Sequence, residues 1–412
     1  MNKTAALRTC VAASLSFSVV FLAGCSLLKE GGGWNKKKTE QVSAQVPTVP
    51  EPVPTHRFEI DPSTDIVGVV QKTLVGHDDT LTDIARRFNV GYEEIVRANP
   101  GMDPWIPGEG KEVVIPSQFI LPNAPREGIV INAAAMRLFY YPKVKKGEKQ
   151  VVNTYPIGIG KVGWKTPEGV TKIVRRQAGP TWRPSPSIIK EHLEERGEKL
   201  DKVIGPGPDN PLGKYAFYLG WQSYMIHGTN KPAGVGLRSS HGCIRLYPED
   251  IAVLFESAPI GTPVRVVNQP FVFGFKDGEL HIQAFDVLED DPRDWKKAQA
   301  KLLNKALAES IQKELAQRKE KIDWEAVSKL TSDPRGIPVS VSGGPDQLDS
   351  IVASAAIVQN KVAPGATWDG VSDLPVDEAT FQELVSDREP SVESAAAAAA
   401  PAPASSTKPS SN

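Results

Sequence analysis

Between residues 128 and 267 Gly and Pro cut the chain into short β-type runs, at 129–132, 136–141, 151–156, 170–176, 216–219, 224–226 and 264–267. Runs this brief cannot sustain a helix, whereas β-branched and aromatic residues between frequent breakers pair readily as strands. The segment is therefore expected to be a mainly antiparallel β domain, with helical insertions at 187–196 and 248–257. A chain of 412 residues has room for that domain and for others. Its formal net charge of -1 opposes a nucleic-acid binder, which normally carries a strong basic excess.

Three cysteines occur, and only Cys243 lies in the body of the chain; Cys10 and Cys25 belong to the start. An intramolecular disulfide in the body is thus impossible, and a lone thiol points to chemistry more than to packing. It stands in Ser239-Ser240-His241-Gly242-Cys243-Ile244-Arg245-Leu246, downstream of Tyr224-Met225-Ile226-His227-Gly228-Thr229-Asn230. A free thiol with a pKa of about 8.5 is only slightly ionised at neutral pH, so a nearby imidazole is needed to take its proton and later return it to a leaving amine. Gly242 lets a carbonyl approach the backbone, and the Gly242 and Cys243 amides are candidates for an oxyanion hole. On an extended strand His241, Cys243 and Arg245 share one face, so Arg245 is placed to meet a substrate carboxylate. His227, His241 and Cys243 are also zinc-ligand types, but no HExxH-like motif accompanies them.

The pattern His227-Gly228-Thr229-Asn230 followed by Ser240-His241-Gly242-Cys243-Ile244-Arg245-Leu246 resembles the signature of the L,D-transpeptidase, or YkuD-like, catalytic domain. The turns Thr166-Pro167-Glu168-Gly169 and Gly261-Thr262-Pro263-Val264 also match that family. The resemblance implies attack by Cys243 on a peptidoglycan stem tetrapeptide between diaminopimelate and D-Ala, a thioester, and transfer to an amine. It makes Cys243 the nucleophile, His227 the proton carrier, Gly228 the carbonyl that orients His227, and His241 a lining residue. Ser240, Arg238 and Arg245 are candidates for substrate binding; where many members carry Asn two positions after the nucleophile, this chain has Arg245. No cofactor and no metal are implied.

Upstream, residues 66–116 read as strand, two helices, strand. Asp79 or Thr80 caps a helix with Leu81, Ile84, Ala85 and Phe88 at helical spacing, and Tyr92, Ile95, Val96 and Ala98 mark the second helix before Asn99-Pro100. The run Gly76-His77-Asp78-Asp79-Thr80-Leu81-Thr82-Asp83-Ile84-Ala85, with Glu94-Ile95-Val96-Arg97-Ala98-Asn99-Pro100 and Ile106-Pro107-Gly108, is similar to a LysM module, a family that binds N-acetylglucosamine polymers such as peptidoglycan. Trp105 and the long 101–107 segment depart from its commonest form, and the alternative is a module that only orients the next domain.

Residues 1–24 carry Lys3, Arg8 and a short apolar stretch, as an export signal does. They end Leu22-Ala23-Gly24-Cys25, which resembles a lipobox with Cys25 as the acylated residue; Ser26 suggests the outer membrane. Residues 25–65 are then expected to be the lipidated Cys25 and a flexible tether. The β domain is placed at 125–268. Beyond it, 269–335 should hold a hairpin turning at Lys276-Asp277-Gly278 and an amphipathic helix at 295–321, and the Ala/Pro/Ser-rich 386–412 a disordered tail.

The expected architecture is thus a mainly β YkuD-like sandwich or barrel, with a small α+β (βααβ) N-terminal module and a C-terminal helix. The expected protein is a periplasmic, lipid-anchored L,D-transpeptidase acting on peptidoglycan, with a second diaminopimelate (a 3→3 cross-link) or an envelope lipoprotein as acceptor. An L,D-carboxypeptidase using the same Cys-His pair, and a non-catalytic cell-wall binding lipoprotein, are the alternatives.

Overall fold

The computed structural model describes residues 49–315, 322–342 and 347–361. The expected export signal, Cys25, the first part of the expected tether and the expected 386–412 tail lie outside them.

The β domain is organised on a nine-stranded sheet in the order Arg57–Ile60, Gln150–Pro156, Arg137–Tyr141, Gly128–Asn132, Pro263–Val267, Gly169–Ala178, Tyr215–Leu219, Met225–His227, Ile244–Arg245. Neighbours are antiparallel except at two places, Gly128–Asn132 with Pro263–Val267 and Met225–His227 with Ile244–Arg245. The sheet changes direction along Gly169–Ala178. Its first residues pair with Pro263–Val267, its last with Tyr215–Leu219, and the register shifts between Ile173 and Arg175. Ile129, Ile131, Leu138, Phe217, Ile226, Ile244 and Val264 form the core inside the curl, with Ile251 and Leu254 of helix Pro248–Ser257 packed against them.

Arg57–Ile60 corrects the tether. This stretch falls within 25–65 yet forms the outer strand of the large sheet, paired residue for residue with Gln150–Asn153. Its alternation, with Arg57 and Glu59 exposed and Phe58 and Ile60 packed inward, suits an edge strand with one face in water.

The βααβ module consists of strands Gln71–Leu74 and Glu112–Ile115 and helices Leu81–Arg87 and Tyr92–Ala98. Thr80 and Asp83 cap the first helix reciprocally, each side chain accepting from the other's amide. Leu81, Ile84, Ile95, Val113 and Ile115 are fully buried, as their spacing requires. A strand from far along the chain, Ala356–Val358, adds to this sheet parallel to Gln71–Leu74.

The segment after the β domain contains more than a hairpin and one helix. Phe271–Lys276 and Glu279–Ala284 do form the expected hairpin, with Asp277 and Gly278 both at positive φ as a two-residue primed turn demands. Val339–Ser340 adds a third strand, and helices Trp295–Leu315 and Trp324–Ser332 cover the sheet around Phe273, Leu280, Ile282, Leu303 and Val327. The last six residues of the expected 295–321 helix lie outside the described residues.

Candidate active site

His227 ends strand Met225–His227, and Cys243 immediately precedes strand Ile244–Arg245. The two strands run parallel with Ile226 opposite Ile244 and His227 opposite Arg245. Both isoleucines are fully buried on the core side. Alternation along the strands therefore turns His227, Arg245 and Cys243 to the other face, with His227 and Cys243 as diagonal neighbours. The Leu246 amide donates to the His227 carbonyl at 2.9 Å and fixes the register.

His227 Nδ1 lies 2.6 Å from the Gly228 carbonyl oxygen. A carbonyl only accepts, so Nδ1 carries the proton and Nε2 is left with its lone pair. Burial, reinforced by the Arg245 guanidinium, holds the imidazole down at about 3, against the weaker opposing effect of the Gly228 bond. The ring is neutral throughout the physiological range.

Cys243 is partly exposed. Its Sγ donates to the Ser223 carbonyl at 3.7 Å, and Ser223 reaches that position with a left-handed backbone, φ +69°. Burial pushes the thiol up, partly offset by a Met225 backbone hydrogen bond and by Arg245. At rest, thiol and imidazole are thus both neutral.

Gly242, at φ +99°, permits the turn before Cys243, and a Cβ there would stand 2.8 Å from the Tyr224 ring. Its amide donates to Ser240 Oγ at 3.2 Å, and Ser240 Oγ donates to the Cys243 carbonyl at 2.6 Å. Two expectations change with this. Ser240 is a buried brace of the loop, with no surface for substrate, and the Gly242 amide is engaged within the loop instead of pointing at an oxyanion. Thr166 braces the same turn, donating to the Gly242 carbonyl at 3.0 Å and accepting from the Gly160 amide at 3.1 Å.

Arg238 is also reassigned. Its guanidinium pairs with Asp290 at 2.7 Å and donates to the Gly160 carbonyl, so it fastens the strand to the following segment. Arg245 differs: its Nη1 donates to Ser239 Oγ at 3.1 Å, its Nε is buried without a partner, and it makes no ion pair with an acidic side chain among the described residues. Burial depresses its pKa. A desolvated cation lacking an anion on the face of Cys243 suits a carboxylate ligand.

His241 turns to Glu191, Nε2 to Oε2 at 3.1 Å, with the edge of Trp164 packed at 4.9 Å between ring centres. Glu191 also holds Lys161, which lies 3.6 Å from Glu195. Burial, then Lys161, lowers the His241 pKa. Among the described residues no group of three or more His, Cys, Asp and Glu side chains is placed to hold a metal ion. Lys161, Trp164, Glu191 and Ser223 were missed by sequence reasoning, since none stands in a motif; only Thr166 lay within a quoted turn.

The model of the L,D-transpeptidase (YkuD) catalytic domain matches residues 126–266, and the LysM domain model matches 75–116. The chain is 42% identical over 241 residues to the probable L,D-transpeptidase YbiS of Escherichia coli, covering 58% of this chain and 75% of that one. It is 37% identical over 268 residues to the probable L,D-transpeptidase ErfK/SrfK of Salmonella typhimurium, covering 64% and 83%. Against the Escherichia coli ErfK/SrfK protein it is 46% identical over 191 residues, 46% of this chain and 60% of that one. On this shared sequence and these two domain matches, the chain belongs to the L,D-transpeptidase family, as an enzyme with a LysM domain ahead of its YkuD catalytic domain.

Proposed function

We propose that the enzyme attacks peptidoglycan stem tetrapeptides with Cys243, releases D-Ala, and passes the acyl group from a thioester to an amine. The observation that carries this reading is the parallel register of Met225–His227 and Ile244–Arg245. It sets a neutral imidazole, its tautomer fixed by Gly228, on the same face as a partly exposed thiol.

Because imidazole and thiol are both neutral at rest, proton transfer accompanies attack and does not precede it. The Cys243 thiol leaves the Ser223 carbonyl, gives its proton to His227 Nε2, and its sulfur adds to the scissile carbonyl. Collapse breaks the C–N bond, and the proton on His227 goes to the departing D-Ala amine. In the second half an acceptor amine attacks the thioester, His227 takes a proton from it, and the proton returns to the departing sulfur. With the Gly242 amide engaged, the Cys243 amide is the donor we assign to the oxyanion. Arg245 receives a carboxylate of the peptide, and His241 lines the site.

Incubating the protein with a disaccharide-tetrapeptide and measuring intact mass tests this. The expected product is the donor acyl group on Cys243, minus D-Ala, and none on Cys243→Ala. No adduct on the unaltered chain would defeat the reading. Muropeptide analysis of cells with and without Cys243 then separates acceptors: 3→3 dimers, lipoprotein remnants, or shortened stems from hydrolysis. Anchoring through an acylated Cys25 at the outer membrane is the location we propose; among the described residues no helix is long and apolar enough to cross a membrane.

A further inference from the structure

We infer that the LysM domain is a positioning part of the acyl-transfer site, gripping the segment that carries Cys243 from both sides. This rests on the reading of Cys243 as nucleophile.

The first jaw acts upstream of the nucleophile. Helix Tyr92–Ala98 starts against the 235–236 turn, where the Tyr92 amide donates to the Val235 carbonyl and the Glu93 amide to the Gly236 carbonyl, each at 3.2 Å. These amides have no partner within the helix, so the catalytic domain caps a LysM helix with its own backbone. Gly236 has φ +83°, and a Cβ there would fall 2.2 Å from the Tyr92 nitrogen. Two residues later begins the strand Arg238–Ser240 that leads into Gly242 and Cys243.

The second jaw acts downstream. Tyr247 Oη donates to the Val90 carbonyl at 3.1 Å. Arg86 of the first LysM helix holds Glu249 with two bonds of 2.9 and 3.0 Å, and the Glu249 side chain is fully buried. Tyr247 and Glu249 follow Cys243 by four and six residues. Between the jaws, Glu94 accepts from the Gly91 amide at 2.6 Å and from buried Arg137 at 2.7 and 2.8 Å, pinning the second LysM helix to the large sheet. A recognition domain that only tethered the enzyme to glycan would need none of these buried contacts. Their placement fixes the turn that presents the Cys243 sulfur and amide.

The test uses a probe without glycan, acylation of the full chain by a carbapenem, alongside alkylation by iodoacetamide, which needs no oxyanion hole. In Gly236→Ala, which forces the upstream jaw apart, acylation should fall by about tenfold or more, since small misplacements at a reacting centre are costly. Alkylation should stay within about threefold, because the thiol itself is untouched. Tyr247→Phe keeps the ring, removes the bond to Val90, and should show the same split more weakly, so the proposal stands testable even if Gly236→Ala fails to fold. Wild-type acylation in folded variants would overturn the inference, as would equal loss of both reactions. An unmodified chain that forms no adduct would instead overturn the assignment of Cys243.

Discussion

Glu191 reaches His241 from a helix that buries none of its own residues. Helix Pro186–Arg196 is held over the site by the 3.1 Å contact to His241 and by the ion pairs of Lys161 with Glu191 and Glu195. Polar contacts at partly exposed positions contribute little individually, so the helix is the least firmly attached element around Cys243. Glu191→Gln should therefore speed amide exchange in residues 186–196 severalfold while leaving the melting temperature within about 2 °C. Exchange unchanged in that helix would show that something other than Glu191 holds it.

The His227 ring makes stability depend on pH in a stated direction. Unfolded, the imidazole takes its proton near pH 6.5; folded, it declines it until about 3. The unfolded state binds more protons between those values, so stability is complete above 6.5 and falls as pH drops toward 3. From pH 6.5 to pH 5 the loss should reach about 2 kcal/mol. Urea unfolding at both values, compared with His227→Gln, measures it; an equal drop in the variant would assign the effect elsewhere. The alkylation rate of Cys243 should also rise with pH in one step above the ordinary thiol value, with no shoulder near 6.5.

Arg245 acts on both the His227 imidazole and the Cys243 thiol. It depresses the His227 pKa and favours the Cys243 thiolate, and it lacks an acidic partner among the described residues. Arg245→Gln should move the His227 pKa up and the thiol further up. If a substrate carboxylate binds there, KM for the tetrapeptide should rise by about tenfold, the worth of a charged hydrogen bond. A change in kcat alone would place the guanidinium at the transition state instead.

Local signals in the sequence account for much of this architecture, and longer-range ones do not. The apolar spacing from Leu81 to Phe88 and Asp277-Gly278 between two β-runs each specify an element within a few residues, and of the two cap candidates, Asp79 and Thr80, the structure uses Thr80. His227 and Cys243 stand out in the sequence because motif and chemistry coincide, and the strand register sets them diagonally across one face. Ser240 misled for a physical reason: a hydroxyl beside a nucleophile serves substrate or loop equally well, and only the 2.6 Å bond to the Cys243 carbonyl decides. Arg238 was ambiguous in the same way until Asp290, 52 residues on, supplied its anion. Contacts of that span, like Glu191 with His241, leave no periodicity to detect.

The longest-range pairing gives the last prediction. Strand Ala356–Val358 completes the LysM sheet beside Gln71–Leu74, some 285 residues earlier in the chain. Thr73, fully buried, donates its hydroxyl to the Val358 carbonyl at 2.9 Å. Asn360 donates to the Leu74 carbonyl and to Asp79, and accepts from Arg87, which itself pairs with Asp79. A chain stopped after Ser354 loses these partners and uncovers the edge of Gln71–Leu74. Leaving Thr73 and Asp79 short of partners and exposing the Val358 contact should cost about 2–4 kcal/mol, most of it within the LysM domain. Denaturant unfolding should register the loss, and limited proteolysis should cut first inside 66–116. Because that domain grips the turns flanking Cys243, carbapenem acylation should slow as well; a truncated chain as stable and as fast as the full one would show that the returning strand is dispensable to both.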